Sequence, residues 1–153
     1  MEQRRFPQVA KAEIQILRTP EVVFPYLITA KHFENYFAHS SDDFKEGQTV
    51  QWWFPEFPDR FDVKILKVEA PNILHFDWFG GIEGKIVKIH LEAFRADATI
   101  VRVEETGLGL TEDGQWEAVL QTGGWANFLA CLKAYIEYGI RLREGSFDFM
   151  AST

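Results

Sequence analysis

Gly123–Gly139 reads GGWANFLACLKAYIEYG. Trp125, Leu129, Leu132 and Ile136 recur at steps of four, three and four, and Phe128 and Tyr135 flank them. That spacing puts one broad apolar stripe on an α-helix, with Asn127, Lys133 and Glu137 away from it. Gly139 follows the last periodic residue, where a left-handed backbone ends a helix at little cost. Upstream, the helical pattern extends to Thr111, and Gln121 projects onto the same stripe as Trp125 and Leu132. The pair Gly123-Gly124 inside this helix predicts a bend or a close backbone approach. An amphipathic helix of this length needs an apolar surface to lie against.

The preceding chain supplies such a surface. Thr49–Phe54, Phe61–Glu69, Ile73–Phe79, Gly84–Phe94 and Ala98–Thr106 read as strands. They are separated by Pro55 and Pro58, Ala70-Pro71-Asn72, Gly80-Gly81 and Ala96-Asp97. Consecutive strands with short turns make an antiparallel meander. Ser40–Gly47 is polar and predicts a loop. Nearer the start, Ala12, Ile14 and Ile16 alternate with Lys11, Glu13 and Gln15, which predicts a half-buried strand over Gln8–Arg18. Thr19-Pro20-Glu21 then reads as a helix start capped by Thr19. A second short helix is expected over Ala30–Phe37, with Phe33, Tyr36 and Phe37 on one side. The fold expected is α+β: a curved antiparallel sheet of about six strands wrapped around a long C-terminal helix, with two short helices after the first strand. One domain is expected, with its core over about residues 8–139 and a tail over 140–153. Phe147, Phe149 and Met150 in that tail are expected to dock on the domain or on a neighbouring subunit, and to fray if they do neither.

Composition excludes several classes of partner. A net charge of -7 provides no cationic surface for nucleic acid, and the longest basic cluster is Arg4-Arg5. The same charge disfavours anionic membrane surfaces. No run approaches the roughly 20 apolar residues of a membrane span. A single cysteine, Cys131, cannot form an internal disulfide and suits a reducing compartment. The N-terminus lacks the apolar stretch of a secretory signal, so the cytoplasm is expected. Aromatic residues reach 15%, enough either to fill a core with rings or to line a cavity with them.

The order of elements matches the helix-grip architecture of the SRPBCC superfamily, which includes START-type lipid-binding domains. More closely, the chain resembles the activator of heat-shock protein 90 ATPase-like family from Ile14 to Gly139. Four stretches carry the resemblance: IQILRTPEVVFPYLI at Ile14–Ile28, VKILKVEAPNILHFDW at Val63–Trp78, ATIVRVEETGL at Ala98–Leu108, and the Gly-Trp helix at Gly123–Gly139. Two positions depart from the family pattern. Asn72 stands where a second hairpin proline is common, and Gln121 stands where a histidine often precedes the Gly-Trp pair. The co-chaperones of the family carry an additional N-terminal domain for which this sequence leaves no room, so stimulation of a chaperone ATPase is not implied. Single-domain relatives imply binding of small apolar ligands or a part in stress responses.

His32, His39, His75 and His90 form no tight metal-ligating pattern, and no metal or other cofactor is expected. Gly80-Gly81-Ile82-Glu83-Gly84 joins two antiparallel strands and reads as a turn. Asp42-Asp43 and Glu112-Asp113 read as solvated loop or helix-start acids. Cavity candidates follow from strand and helix periodicity. They are Trp52, Trp78, Val87, Ile89, Leu91, Val101, Val103, Glu105, Gln121, Trp125, Phe128, Leu129 and Leu132. A polar group such as Gln121 on an apolar stripe is either hydrogen-bonded to the sheet or aimed at a ligand. The partner expected is a small apolar or aromatic molecule. The alternatives are an acid–base enzyme of the polyketide cyclase type using Glu105, Glu83 or His75, and a protein-interaction module. The last would act through a homodimer or a chaperone contact.

Overall fold

The computed structural model describes residues 9–108 and 112–151. Arg4-Arg5, Gln8, Thr111 and the side chains of Glu112-Asp113 lie outside the described residues. The elements run β1 (Ala10–Ile16), α1 (Pro20–Ile28), α2 (Ala30–Phe33), β2 (His39–Ser40), β3 (Thr49–Trp53), β4 (Arg60–Glu69), β5 (Ile73–Asp77), β6 (Val87–Phe94), β7 (Ala98–Glu105) and α3 (Glu112–Tyr138). A single 3-10 turn, Asp148–Met150, closes the tail.

The seven strands form one antiparallel sheet in the order β1-β7-β6-β5-β4-β3-β2. The meander expected from the turn residues is therefore present, and β1 is added beside β7. The additional strand β2 pairs His39 with Trp53 and Ser40 with Trp52, within the segment expected to be a loop. Two residues are too short for a periodicity to register. A register shift between Ile65 and Lys67 marks a bulge in β4, a feature that bends a strand and helps the sheet to curl. Alternation sets the inner face: Val87, Ile89 and Leu91 on β6, and Thr99, Val101, Val103 and Glu105 on β7, are all buried. Lys88, His90 and Arg102 take the outer face.

Helix α3 grips this face. Trp125, Phe128, Leu129, Leu132 and Ile136 are buried, as the stripe predicted. Lys133 and Glu137, expected away from the contact, clamp the helix to β1 instead. Lys133 Nζ donates to the Gln15 carbonyl at 2.8 Å and pairs with Glu137, and the Leu17 amide donates to Glu137 Oε2 at 3.2 Å. Burial would raise the Glu137 carboxyl, but the Lys133 and Leu17 donors outweigh it and hold the group below its ordinary value. The helix ends as expected at Gly139. Its amide donates to the Tyr135 carbonyl, Ile140 donates to Ala134, and φ is 66°.

Three local expectations are corrected. Thr19 sits at the start of α1, but its hydroxyl makes no capping bond; its carbonyl accepts the Val22 and Val23 amides, and Pro20 occupies the first turn. The pair Gly123-Gly124 marks no close approach, since a Cβ at either position would meet open space. Helix α3 runs through both residues without interruption. Strand β5 ends earlier than expected, at Asp77. The Asp77 carboxylate accepts the Phe79 and Gly81 amides at 2.7 and 2.9 Å, which turns the chain out of the ladder.

Candidate ligand-binding cavity

A cavity of about 290 Å³ opens between α3, the turn after α2, the end of β3 and the C-terminal tail. Aromatic rings make most of its wall: Tyr36, Phe37, Phe54, Phe57, Trp78, Trp125, Phe128 and Phe147. Phe37 is the hub of this wall. Its ring lies 4.8 Å from Phe128, 5.1 Å from Phe54 and 5.9 Å from Trp125, and Trp78 lies 5.3 Å from Trp125. Gly124, Asn127 and Cys131 complete the helix side. The absent side chain at Gly124 leaves volume on the cavity side of α3, which accounts for a glycine that no backbone contact requires.

Of the candidates read from the sequence, Trp78, Gln121, Trp125 and Phe128 line this cavity. Trp52, Val87, Ile89, Leu91, Val101, Val103, Leu129 and Leu132 are packed in the core and take no part in the lining. Trp52, for example, is enclosed by Phe33, Phe44 and Phe76 at ring distances of 4.8, 5.5 and 5.0 Å. Strand and helix periodicity finds the buried face. Which part of that face is left unfilled depends on how the rings interlock, which periodicity does not encode.

Glu105 is fully buried behind the lining. Gln121 Nε2 donates to its Oε1 at 3.1 Å, so the polar residue of the helix stripe pairs with a strand side chain and not with sheet backbone. Burial pushes the Glu105 carboxyl above its ordinary value. The Gln121 donor and the indole N–H groups of Trp125 and Trp78 act in the opposite direction, and the charge of Glu117 adds to the rise. The two indoles are near enough to be felt by the carboxyl, yet neither makes a bond of good geometry. Glu105 Oε2, Trp78 Nε1 and Trp125 Nε1 are buried with no hydrogen-bond partner among the described residues.

The tail forms the mouth of the cavity, a role no periodicity in the sequence signals. Arg143 bonds Glu56 through both ends of its guanidinium, at 3.1 and 3.3 Å, in a largely buried pair. The guanidinium stands 5.0 Å from the rings of both Phe54 and Phe147. This anchor sets Phe147 and Met150 against the cavity, while Phe149 is 82% exposed. The Cys131 thiol is pushed up by burial, partly offset by the Arg143 charge.

The remaining titratable candidates lie elsewhere. Glu83 is exposed in the turn after β5. His75 and His90 meet on the outer face of the sheet, Nε2 to Nε2 at 2.8 Å. Burial, His90, Lys88 and Lys67 together lower His75 to about 4. Among the described residues no group of three or more His, Cys, Asp or Glu side chains could hold a metal ion. No described helix is long and apolar enough to cross a membrane.

A curled antiparallel sheet closed by one long helix over a ring-lined cavity defines a helix-grip protein. The sequence matches the family model "Activator of Hsp90 ATPase homolog 1-like protein" over residues 18–137, and the chain belongs to that family. No curated protein matches it. Solved structures share the fold at low identity. The protein SSP2350 from Staphylococcus saprophyticus superimposes with a TM-score of 0.75 at 22% identity, over 86% of this chain and 93% of that one. The Aha1 dimer from Colwellia psychrerythraea gives 0.72 at 22%, over 86% and 97%. DynU16, from the dynemicin biosynthetic locus, gives 0.75 at 23%, over 87% of this chain but 48% of its own, so this chain spans about half of that protein.

Proposed function

We propose that this protein is a binding module that takes a small apolar or aromatic molecule into the cavity beneath the tail. The observation that carries the reading is an unfilled volume of about 290 Å³ walled by rings. Ligand sites are mostly apolar with a few placed polar groups, and Gln121 with Glu105 behind it provides such an edge. An enclosed apolar cavity of about 150 Å³ holds benzene. Roughly twice that volume suits a compound of two fused rings. Acid–base catalysis would require a second group beside Glu105. His75 and Glu83, the other residues considered for it, lie on the outer face of the sheet and in an exposed turn, which favours binding over turnover.

Native mass spectrometry of freshly purified protein, followed by extraction of retained small molecules, tests this reading. A near-stoichiometric apolar compound is expected, and its loss is expected in a Gly124→Leu variant that fills the cavity. Protein that emerges empty and shows no thermal shift with any two-ring aromatic would remove the proposal.

A second reading concerns assembly. Trp116, Val119 and Leu120 form an exposed apolar stripe on α3, at 60%, 55% and 72% exposure. Exposed stripes of this kind mark protein contacts, and a homodimer is the contact that the dimeric Colwellia psychrerythraea relative brings into view. Sedimentation equilibrium of the parent chain and of a Leu120→Lys variant tests it. A dimer lost in the variant is expected, and a monomeric parent at all concentrations would dismiss it.

A further inference from the structure

His75 on β5 and His90 on β6 meet on the outer face of the sheet, away from the cavity. Leu74 and Phe76 flank His75, and Ile89 and Leu91 flank His90. All four are buried on the inner face, so alternation turns both imidazoles outward. His90 is exposed and His75 half-buried. The register pairs His75 with Lys88 and Ile73 with His90, which makes the two histidines diagonal neighbours. Long or aromatic side chains reach one another across such a diagonal. The Nε2 atoms stand 2.8 Å apart and the ring centroids 5.1 Å apart, so one Nε2–H donates to the other nitrogen. No motif signals the pair, because its members lie fifteen positions apart on separate strands.

The spacing also fits a metal. Two imidazoles that share one tetrahedral zinc through Nε2, at about 2.0–2.1 Å, hold their centroids about 5 Å apart and their nitrogens about 3.3 Å apart. The centroids of this pair already stand at that separation. Tilting each ring about its centroid aims both lone pairs at one point and opens the nitrogens by about 0.5 Å, with no change in the ladder.

We propose that His75 and His90 form a two-histidine zinc site on the outer face of the sheet, with water in the remaining coordination positions. Zinc takes the place of the shared proton, which passes to Nδ1 of the donor ring, so both imidazoles bind in the neutral form. The neighbouring charges set the affinity. Lys67 and Lys88 oppose a cation. Lys67 is paired with Glu69 at 3.4 Å, and Arg102, across the ladder from His90, is paired with Glu13 at 3.1 Å and with Glu92. Lys88 faces Glu104 across the ladder, with no ion pair to it among the described residues. The site is separate from the cavity, and its fate leaves the ligand-binding reading untouched.

The test is titration of the tag-free chain with zinc chloride, followed by calorimetry and by proton–nitrogen correlation spectra of the histidine rings. One zinc per chain is expected, with the Nε2 resonances of His75 and His90 moving together while those of His32 and His39 stay in place. His75→Gln and His90→Gln should each weaken binding about tenfold or more, since loss of an outer-shell partner alone costs about that much. Lys88→Gln should tighten it several-fold by removing a nearby like charge. Magnesium should not compete, because it prefers oxygen ligands. The ring spectra are read on the parent protein and decide the matter even where a variant fails to fold. Rings that do not move at millimolar zinc would overturn the proposal and leave the pair a hydrogen bond only. Zinc that binds equally well to both glutamine variants, or that moves His39 beside Glu34 instead, would overturn it by placing the ion elsewhere.

Discussion

At the scale of single residues, the tension in this protein lies at Glu105. Its carboxyl titrates higher in the folded chain than its ordinary value of 4.5, because burial disfavours the anion. The folded state therefore holds this proton more tightly than the unfolded state does. The stabilising contribution is full below the unfolded pKa and is lost as pH rises through the folded one. Glu105→Gln removes that loss. Its stability relative to the parent should climb as pH rises from 4.5 through the raised folded-state value, as followed by urea midpoints; a constant difference would show that Glu105 titrates normally. Gly107 is the second decisive residue. Its φ is +77°, and an added Cβ would lie 2.4 Å from the Gly84 carbonyl oxygen. Gly107→Ala combines a left-handed alanine with a backbone clash and should cost roughly 2–4 kcal/mol in urea denaturation. The Gly-Leu ending of the last strand was legible in the sequence, as was the face that Glu105 shares with Val101 and Val103; its complete burial was not. The collision with Gly84 was not, because it is set by a turn more than twenty residues away.

At the scale of elements, α3 and the tail divide two tasks. The second half of α3 is fastened to β1 by Lys133 and Glu137, and the segment after Gly139 folds back over the cavity. Arg143 and Glu56 hold that fold-back. Arg143→Ala should cost roughly 2–4 kcal/mol by leaving Glu56 buried without its partner. It should also release Phe147 and Met150, so that Cys131, the single cysteine, is alkylated several-fold faster. Adding Glu56→Gln should restore much of the stability without slowing the alkylation. Alkylation that stays slow in both variants would mean that the tail does not guard the mouth. Helix α3 itself was readable from its stripe, but the tail was not. Arg143 works through a partner 87 positions earlier, which no local pattern reveals.

At the scale of the whole molecule, the strongest ladders join β1, β7 and β6, which carry eight paired positions between β6 and β7 and seven between β1 and β7. These strands and the second half of α3 should exchange their amide hydrogens most slowly. The turn over 79–86 and the tail over 140–151 should exchange fastest. Slow exchange throughout the tail would contradict its description as a strap held mainly by one ion pair. The sequence by itself determined the class of fold, because turn residues and the two periodicities dictate which segments are strands, which is the long helix, and which faces must be covered. It also determined that Trp78, Gln121, Trp125 and Phe128 lie on the buried side. Only the tertiary structure decided where that side remains unfilled and what closes the mouth. Those features arise from side chains distant in sequence that compete for the same space, and pattern along the chain carries no measure of that competition.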